Sequence, residues 1–415
     1  MSEMSDKQMK FYLVGGAVRD KLLGRPITEK DWLASNVTPE QLVALGYQQV
    51  GKDFPVFLHP KTHEEYALPR CQRDDIHSNP VSIEEDLTRR DLTINALAQG
   101  PDGEIIDPLG GQDDLKKGIL RHTPSFTEDP IRTLRLARFA ARYHELGFSI
   151  AEETKTLVQQ MAAKDELNNL VPERVWAEIA KAMTEDNAHI FIKAMHEMDM
   201  LAAVLPEVDC LFGIPQRKDY HPEVDTGLHT LLTLQQACLL SSDPQVRFAA
   251  LVHDLGKGTT PAAILPSHRG HEERGAKLIK PLCKRLRIPN AWRDLAIPVA
   301  RYHLLCHQAF ELRPKTLLKI VMGLDALRRP QRFEQFLLVC KADVRGRTGM
   351  EDSPYPQADF LRAIYQAIIK IDAAKISQTT SEPQHIIAQL QKKRLQAASA
   401  VKQAWFEKGL QLKSP

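Results

Sequence analysis

A small α/β head followed by an all-α remainder is the architecture this sequence predicts, and three observations predict it. Up to about Pro108, short β-prone runs alternate with amphipathic segments. After Thr127 strand signals vanish, and heptad-free amphipathic helices dominate to the end. At 415 residues the chain is too long for one compact core, so roughly two to four domains are expected. In the head, Phe11 to Val14 reads as a strand, Gly15-Gly16 as a tight turn and Ala17 to Leu23 as an amphipathic helix. Thr38 to Leu45 reads as a second helix, Pro55 to His59 and Glu64 to Leu68 as strands, and Gly103 to Asp107 as the last strand. Seams are expected near residue 126, in the stretch Phe212 to Pro222 and around Gly346 to Pro356. The expected division is a disordered lead-in over 1–10, the head over 11–126, helical domains over 127–220 and 221–347, and a helical tail over 348–415.

Composition narrows the function classes. No apolar run approaches a membrane span, and Met1 to Gln8 lacks the apolar core of a signal peptide, so a cytoplasmic protein with no membrane partner is expected. Six cysteines (Cys71, Cys210, Cys238, Cys283, Cys306, Cys340) include no Cys-x-x-Cys pair. They read as buried, reduced thiols of a cytosolic protein rather than disulfides or a zinc site. The net charge of +2 neither demands nor excludes nucleic acid, but basic residues cluster at Arg132 to Arg142, Arg313 to Arg347 and Lys392 to Arg394. Local binding of a phosphate backbone would require patches of that kind.

Two stretches of the head carry chemistry. The pair Gly15-Gly16 lets the backbone approach a ligand closely, and the helix that follows offers unpaired N–H groups to a phosphate. Arg19, one turn into that helix, could add a charged fork to the same anion. Glu29 and Asp31 are two apart, and in a strand such residues point to one face. Adjacent carboxylates repel unless a cation lies between them, and hard oxygen ligands suit Mg²⁺ bridging to substrate phosphates. A solvated loop is the bland meaning of Glu-x-Asp alone; the glycine turn a dozen residues upstream tips the reading toward a site.

Farther on, Asp129 reads as a helix cap with Pro130 at the first helical position. Arg132, Arg135 and Arg138 recur every three residues and so share a broad face, which in most helices is merely solvated. His253-Asp254 closes an apolar helix, and burying both polar groups needs a compensating partner.

The stretches Leu13-Val-Gly-Gly-Ala-Val-Arg-Asp20, Glu29-x-Asp31, Arg89-Arg90-Asp91-Leu-Thr-Ile-Asn-Ala96 and Glu128-Asp129-Pro-Ile-Arg132-Thr-Leu-Arg135-Leu-Ala-Arg138 follow in order. Together they resemble the class II CCA-adding tRNA nucleotidyltransferases, and more closely the multifunctional bacterial form that carries an HD phosphohydrolase domain. The likeness runs from about residue 10 to about residue 350. It implies a polymerase-beta-like nucleotidyltransferase head, then all-α neck, body and HD domains. The implied partners are tRNA, CTP and ATP, for a protein that is a monomer or weak homo-oligomer.

By this resemblance Glu29 and Asp31 hold Mg²⁺ for attack of an RNA 3′-hydroxyl on the α-phosphate of CTP or ATP, with Glu64 or Glu65 as candidates for a third carboxylate. Gly16 and Arg19 belong to the nucleotide site. Asp129 and Arg132 become a protein template, and Arg90, Arg135 and Arg138 contact the triphosphate or sugar. Cytosine and adenine both present an amine donor beside a ring-nitrogen acceptor, so one carboxylate and one guanidinium can match both. Uracil and guanine would leave buried polar groups unpaired.

The HD pattern assigns His229, His253, Asp254 and Asp343 as metal ligands, with His271 and His303 nearby or on a second metal. Within that set His253 and Asp254 are also the catalytic pair. Imidazole plus carboxylate suits a transition metal such as Ni²⁺, and hydrolysis of phosphate esters, including 2′,3′-cyclic phosphates, is the implied chemistry.

The chain departs from the family at three places. Glu29 replaces the usual Asp, Gln72 stands where a Glu is usual, and the loop before Arg89-Arg90 is several residues short. The short loop keeps a CC-adding enzyme in play and makes adenosine the expected slow step. A poly(A) polymerase and a non-catalytic RNA-binding relative are rival readings of the same motifs.

Overall fold

The computed structural model describes residues 9–27, 29–50, 56–69, 81–379 and 382–407. Residues 1–8 of the lead-in, Cys71, Gln72 and most of the short loop lie outside the described residues, and the first strand already begins at Lys10, inside the expected lead-in. The chain divides into two compact units, residues 1–169 and 170–415.

The first unit is built on a seven-stranded sheet. Its strands are β1 (Lys10–Val14), β2 (Asp31–Ser35), β3 (Gln48–Val50), β4 (Val56–Leu58), β5 (Glu65–Ala67), β6 (Ala98–Gln99) and β7 (Ile105–Ile106), in the order β3-β4-β5-β2-β1-β6-β7. All neighbours run antiparallel except β2 and β5. Alternation along the strands makes two cores. Tyr12, Val14 and Leu33 face Ile83 and Leu87 on one side, while Ala34, Phe57 and Tyr66 cover Leu42 on the other. Helix α1 (Gly16–Leu22) follows β1 directly, and α2 (Pro39–Ala44) is opened by a reciprocal capping box between Thr38 and Gln41. Helix α3 (Ile83–Thr88) leads into the Arg89-Arg90 turn.

Several expectations need correcting. Strand β2 begins at Asp31, so Glu29 precedes it and strand alternation does not by itself place the two carboxylates on one face. Strand signals do not end at Thr127: Ile119–Leu120 pairs in parallel with Ser149–Ile150, each strand too short to leave a periodic trace. The two-unit division is coarser than the expected seams near 126, 212–222 and 346–356 and does not bear on them. The basic helix opens at Arg132, not at Pro130; Asp129 is extended and offers its main-chain carbonyl to the Arg132 N–H. Cys283, Cys306 and Cys340 are buried, but Cys210 is exposed.

Among its described residues the second unit contains helices and no paired strands. The helices Thr226–Leu240, Pro244–Val252, His271–Arg285, Asn290–His307 and Pro330–Arg345 pack together; four of them carry His229, His271, His303 and Asp343, and His253-Asp254 follows directly on Val252. Helices Pro356–Ile369 and Pro383–Glu407 occupy much of the tail. No described helix is long and apolar enough to cross a membrane.

Candidate active sites

The first site forms where β1 gives way to α1. Val14 pairs with Asp31, so the glycine turn follows immediately beside the end of β2 that carries the carboxylate. Gly15 adopts φ +64°, and a β-carbon there would lie 2.7 Å from Nη1 of Arg90. The positive φ is what calls for glycine, and the Arg90 guanidinium rests against the turn. Parallel pairing of β2 with β5 sets Glu65 beside Asp31. Glu64 is otherwise engaged, accepting from Trp32 Nε1 at 3.0 Å and lying 3.4 Å from Lys30 Nζ. Register therefore favours Glu65 over Glu64 as the companion of Asp31, and Asp31, Glu29 and Glu65 are all exposed. Such an all-carboxylate set has the donor chemistry Mg²⁺ prefers.

Behind this end of the sheet a polar network joins three of the sequence stretches. Arg135 Nε donates to Asp91 Oδ2 at 2.7 Å, and Asp91 Oδ1 accepts from Asn95 and from the Leu92 N–H. Asn95 Oδ1 accepts from Arg19 Nη1 at 2.5 Å, and Arg19 also holds Asp20. Asp91 is buried; burial raises its pKa, but Arg135 and Asn95 outweigh that and bring it down to about 2.

The arginines thus divide. Arg19 is 4% exposed, with its guanidinium about 5 Å from the Phe139 and Tyr143 ring centres, so it anchors the turn rather than offering a fork to an anion. Arg138 is 6% exposed and lies over Phe139, so the expected open basic face is confined to Arg132 and Arg135. Arg132 grips the chain ahead of it: Nη1 donates to the Ser125 and Arg90 carbonyls and Nη2 to that of Arg89. Arg90 donates to Asp86 from Nε and Nη2. Asp129 stands three residues before Arg132, at the head of this basic helix. Gly16 opens α1.

The second site is a buried cluster in the second unit. His229, His253 and Asp343 form one group of converging ligand atoms, and Asp254, His271 and His303 form another. The histidines are oriented by their outer nitrogens. His253 Nδ1 donates to the Ala250 carbonyl at 2.8 Å, His271 Nδ1 to that of His268 at 2.9 Å, and His303 Nδ1 to that of Ala300 at 3.0 Å. With the proton on Nδ1, each neutral ring turns an Nε2 lone pair inward. His271 Nε2 and His303 Nε2 then face each other at 3.3 Å, and Asp254 Oδ1 lies 3.1 and 3.6 Å from them. His253 Nε2 is 3.2 Å from Asp254 Oδ2 and 3.9 Å from Asp343 Oδ1. His253 Nε2 and Asp254 Oδ1 are buried and out of hydrogen-bond alignment with any described partner. Acceptors converging on acceptors is a geometry that cations resolve, and the mixed imidazole–carboxylate donors fit a divalent transition metal.

Charge supports the same fit. Burial pushes the Asp254 and Asp343 carboxyls up, but positive charge beside the first, Lys257 included, and His307 with a hydrogen bond from His229 beside the second, hold both well below the usual range. Burial brings His303 down to about 3.

Several residues here were not singled out from sequence. Lys257 Nζ is 2.7 Å from Asp254 Oδ2 and donates to Gln216. His307 Nε2 lies 2.7 Å from Asp343 Oδ2, with its Nδ1 2.8 Å from the Tyr355 hydroxyl. His221 and Glu223 stand against His229. Tyr355 is 48 positions from His307, so spacing gave no signal; His307, one turn beyond His303, could have been found from helical periodicity.

Comparison with known proteins covers both sites. Residues 11–121 match the poly A polymerase head domain, 147–211 the probable RNA and SrmB-binding site of polymerase A, and 226–329 the HD domain. A multifunctional CCA protein of Thioalkalivibrio sulfidiphilus (strain HL-EbGR7) is 54% identical over 407 residues, covering 96% of this chain and 100% of that one. One from Nitrosococcus oceani is 53% identical, covering 95% and 98%. Among solved structures, a CCA-adding enzyme in complex with CTP has a TM-score of 0.65 at 20% identity, over 97% of this chain and 92% of that one. A Thermotoga maritima CCA-adding enzyme complexed with tRNA has a TM-score of 0.62 at 19% identity, over 95% and 91%. At such identity the structural likeness bears on the fold.

Proposed function

The chain belongs to the multifunctional CCA protein family and is a CCA-adding nucleotidyltransferase with an HD domain, and from that premise we propose that it completes and repairs the 3′-terminal CCA of tRNA from CTP and ATP, with a separate phosphohydrolase activity in its second unit. Membership answers two rival readings, the poly(A) polymerase and the non-catalytic relative. The observation that carries the transfer reading is the meeting of the glycine turn, Arg90, Asp91 and the Arg132–Arg142 helix in one unit.

In this reading the RNA 3′-hydroxyl attacks the α-phosphate, the bond to the β-phosphate breaks and pyrophosphate leaves. Glu29 and Asp31, with Glu65 beside Asp31, would hold Mg²⁺, which supplies charge neutralisation to the triphosphate. The glycine turn admits the phosphates close to the backbone, and Arg90 stands over the turn to meet them. Asp129 and Arg132 present acceptor and donor to the base. The contacts Arg132 makes among the described residues use Nη1 and one proton of Nη2, leaving Nε–H and the other Nη2–H for a base edge. Arg135, Arg138 and Arg19 keep this surface in place.

In the second unit His229, His253, Asp254 and Asp343 would hold a divalent transition metal such as Ni²⁺, with His271 and His303 completing a second position beside Asp254. A metal so held supplies the Lewis acidity that phosphate-ester hydrolysis needs. Lys257 keeps Asp254 ionised and turned toward the histidines. A 2′,3′-cyclic phosphate at an RNA end is the substrate in view.

The test is to incubate the protein with tRNA lacking its last three nucleotides, supplying CTP and ATP singly and together, and to sequence the product ends. Ends in CC with CTP alone and in CCA with both nucleotides are expected. Termination at CC under saturating ATP would make it a CC-adding enzyme.

A further inference from the structure

Of the histidines in the metal cluster, His229 stands between two carboxylates. Its Nε2 is 3.1 Å from Asp343 Oδ1, on the side of His253, and its Nδ1 is 2.9 Å from Glu223 Oε1. Both His229 and the Glu223 side chain are fully buried. A neutral imidazole has one proton and can satisfy one of these two acceptors. If Nε2 keeps it, the Nδ1 lone pair opposes Glu223; if Nδ1 keeps it, the Nε2 lone pair opposes Asp343. Nδ1 is in fact buried and out of hydrogen-bond alignment with Glu223 despite the short distance. A cation at Nε2 removes the conflict: the proton moves to Nδ1, a small ring rotation aligns it on Glu223, and the lone pair goes to the metal.

Glu223 is itself braced for that task. Oε1 also lies 3.0 Å from His221 Nδ1 and 3.4 Å from Gln216 Nε2, and Oε2 accepts from the Thr348 N–H at 3.4 Å. His253, His271 and His303 each have a neutral main-chain carbonyl in the corresponding place. His229 has an anion there. An anionic acceptor makes the imidazole a stronger donor to metal than a carbonyl does.

We propose that Glu223 is a positioning residue for the metal site: it takes the Nδ1 proton of His229 and thereby turns a charge-strengthened Nε2 lone pair toward the ion shared with His253 and Asp343. His221 and Gln216 hold Glu223 in register for this. The inference rests on the metal-binding reading of the second unit and deepens it.

The experiment uses the full chain, stripped of metal and titrated with Co²⁺ against a competing chelator, following the visible d–d absorption of the bound ion. Relative to wild type, Glu223→Ala is expected to weaken Co²⁺ binding by roughly 10–100-fold and to shift the absorption, as loss of an outer partner of a metal-bound histidine generally does. Glu223→Gln, which keeps an acceptor without its charge, is expected to fall between the two. Nucleotide addition to tRNA, carried out in the other unit, should be unchanged in both variants, and far-UV circular dichroism with thermal unfolding, expected to match wild type, verifies that the second unit folds. Should wild type bind no Co²⁺, the metal reading itself fails. Wild-type binding with unchanged affinity and spectrum in Glu223→Ala would overturn the role of Glu223. Full affinity in Glu223→Gln alone would overturn the part played by its charge. Loss of both metal binding and nucleotide addition in the alanine variant, with the glutamine variant behaving as wild type, would equally overturn the proposal by reducing Glu223 to a folding role.

Discussion

Arg132 has two duties, and a substitution can separate them. Its guanidinium bonds the main-chain carbonyls of Arg89, Arg90 and Ser125, a structural grip distinct from its proposed contact with the base. Arg132→Ala is therefore expected to cost about 1–3 kcal/mol of stability, because partly buried carbonyls lose a donor. It should also admit UTP or GTP in place of CTP or ATP. Asp129→Ala should relax base choice to a similar degree. Misincorporation assays beside urea unfolding test both, and unchanged base preference in the two variants would leave Asp129 a purely structural residue. A second residue-scale expectation concerns pH. Asp91 has a pKa of about 2 in the folded protein against 3.8 ordinarily. A carboxyl depressed on folding contributes stability that is present above its unfolded value and lost as pH falls through the folded one. The contribution is about 2 kcal/mol, lost between about pH 4 and pH 2. Asp91→Asn should lower stability at neutral pH and flatten that part of the acid limb; identical acid limbs would argue against the Asp91–Arg135 pairing.

At the scale of elements, the second site depends on how closely two segments approach. A β-carbon on Gly256 would lie 2.0 Å from the main-chain oxygen of His271 and 2.6 Å from the Gly275 nitrogen. The segment after His253-Asp254 thus packs backbone to backbone against the His271–Arg285 helix, which brings Asp254 to His271. Gly256→Ala must push that helix away. Overpacking of this kind costs about 1–3 kcal/mol, and the displacement separates Asp254 from His271 and His303. The expected outcome is reduced metal stoichiometry with nucleotide addition intact, measured by elemental analysis after reconstitution. Wild-type metal content would show that the contact is not needed for the site. The basic helix illustrates the limit of local reading. A three-residue spacing of arginines marks a helix face, but only the packing against Phe139 and the Asp91 network determines which of them are buried.

At the scale of the whole molecule, the two groups of site residues fall in different compact units, 1–169 and 170–415. Their activities should therefore be separable. Asp31→Ala is expected to reduce nucleotide addition to background and to leave hydrolysis of a 2′,3′-cyclic phosphate near wild type. His253→Ala is expected to do the reverse, with loss of bound transition metal. Steady-state rates of both reactions on both variants check this, and loss of both activities in either variant would contradict it.

The sequence alone determined the α/β head, the helical remainder, the glycine turn and the polar residues of both sites. These are features that backbone preference, hydrophobic period and side-chain chemistry impose locally. Strand β1 and helix α1, for instance, lie within a residue of the expected Phe11–Val14 and Ala17–Leu23. The tertiary structure decided what those residues meet. Arg19 is drawn inside by Asn95, 76 positions away, and so holds the turn instead of facing an anion. Register sets Glu65 rather than Glu64 beside Asp31. His229 meets Asp343 across 114 positions, and Glu223 comes to its outer nitrogen. Such pairings depend on long-range packing, which no local period encodes, so the chemistry was legible residue by residue while the division of labour among the arginines and the orientation of the histidines was not.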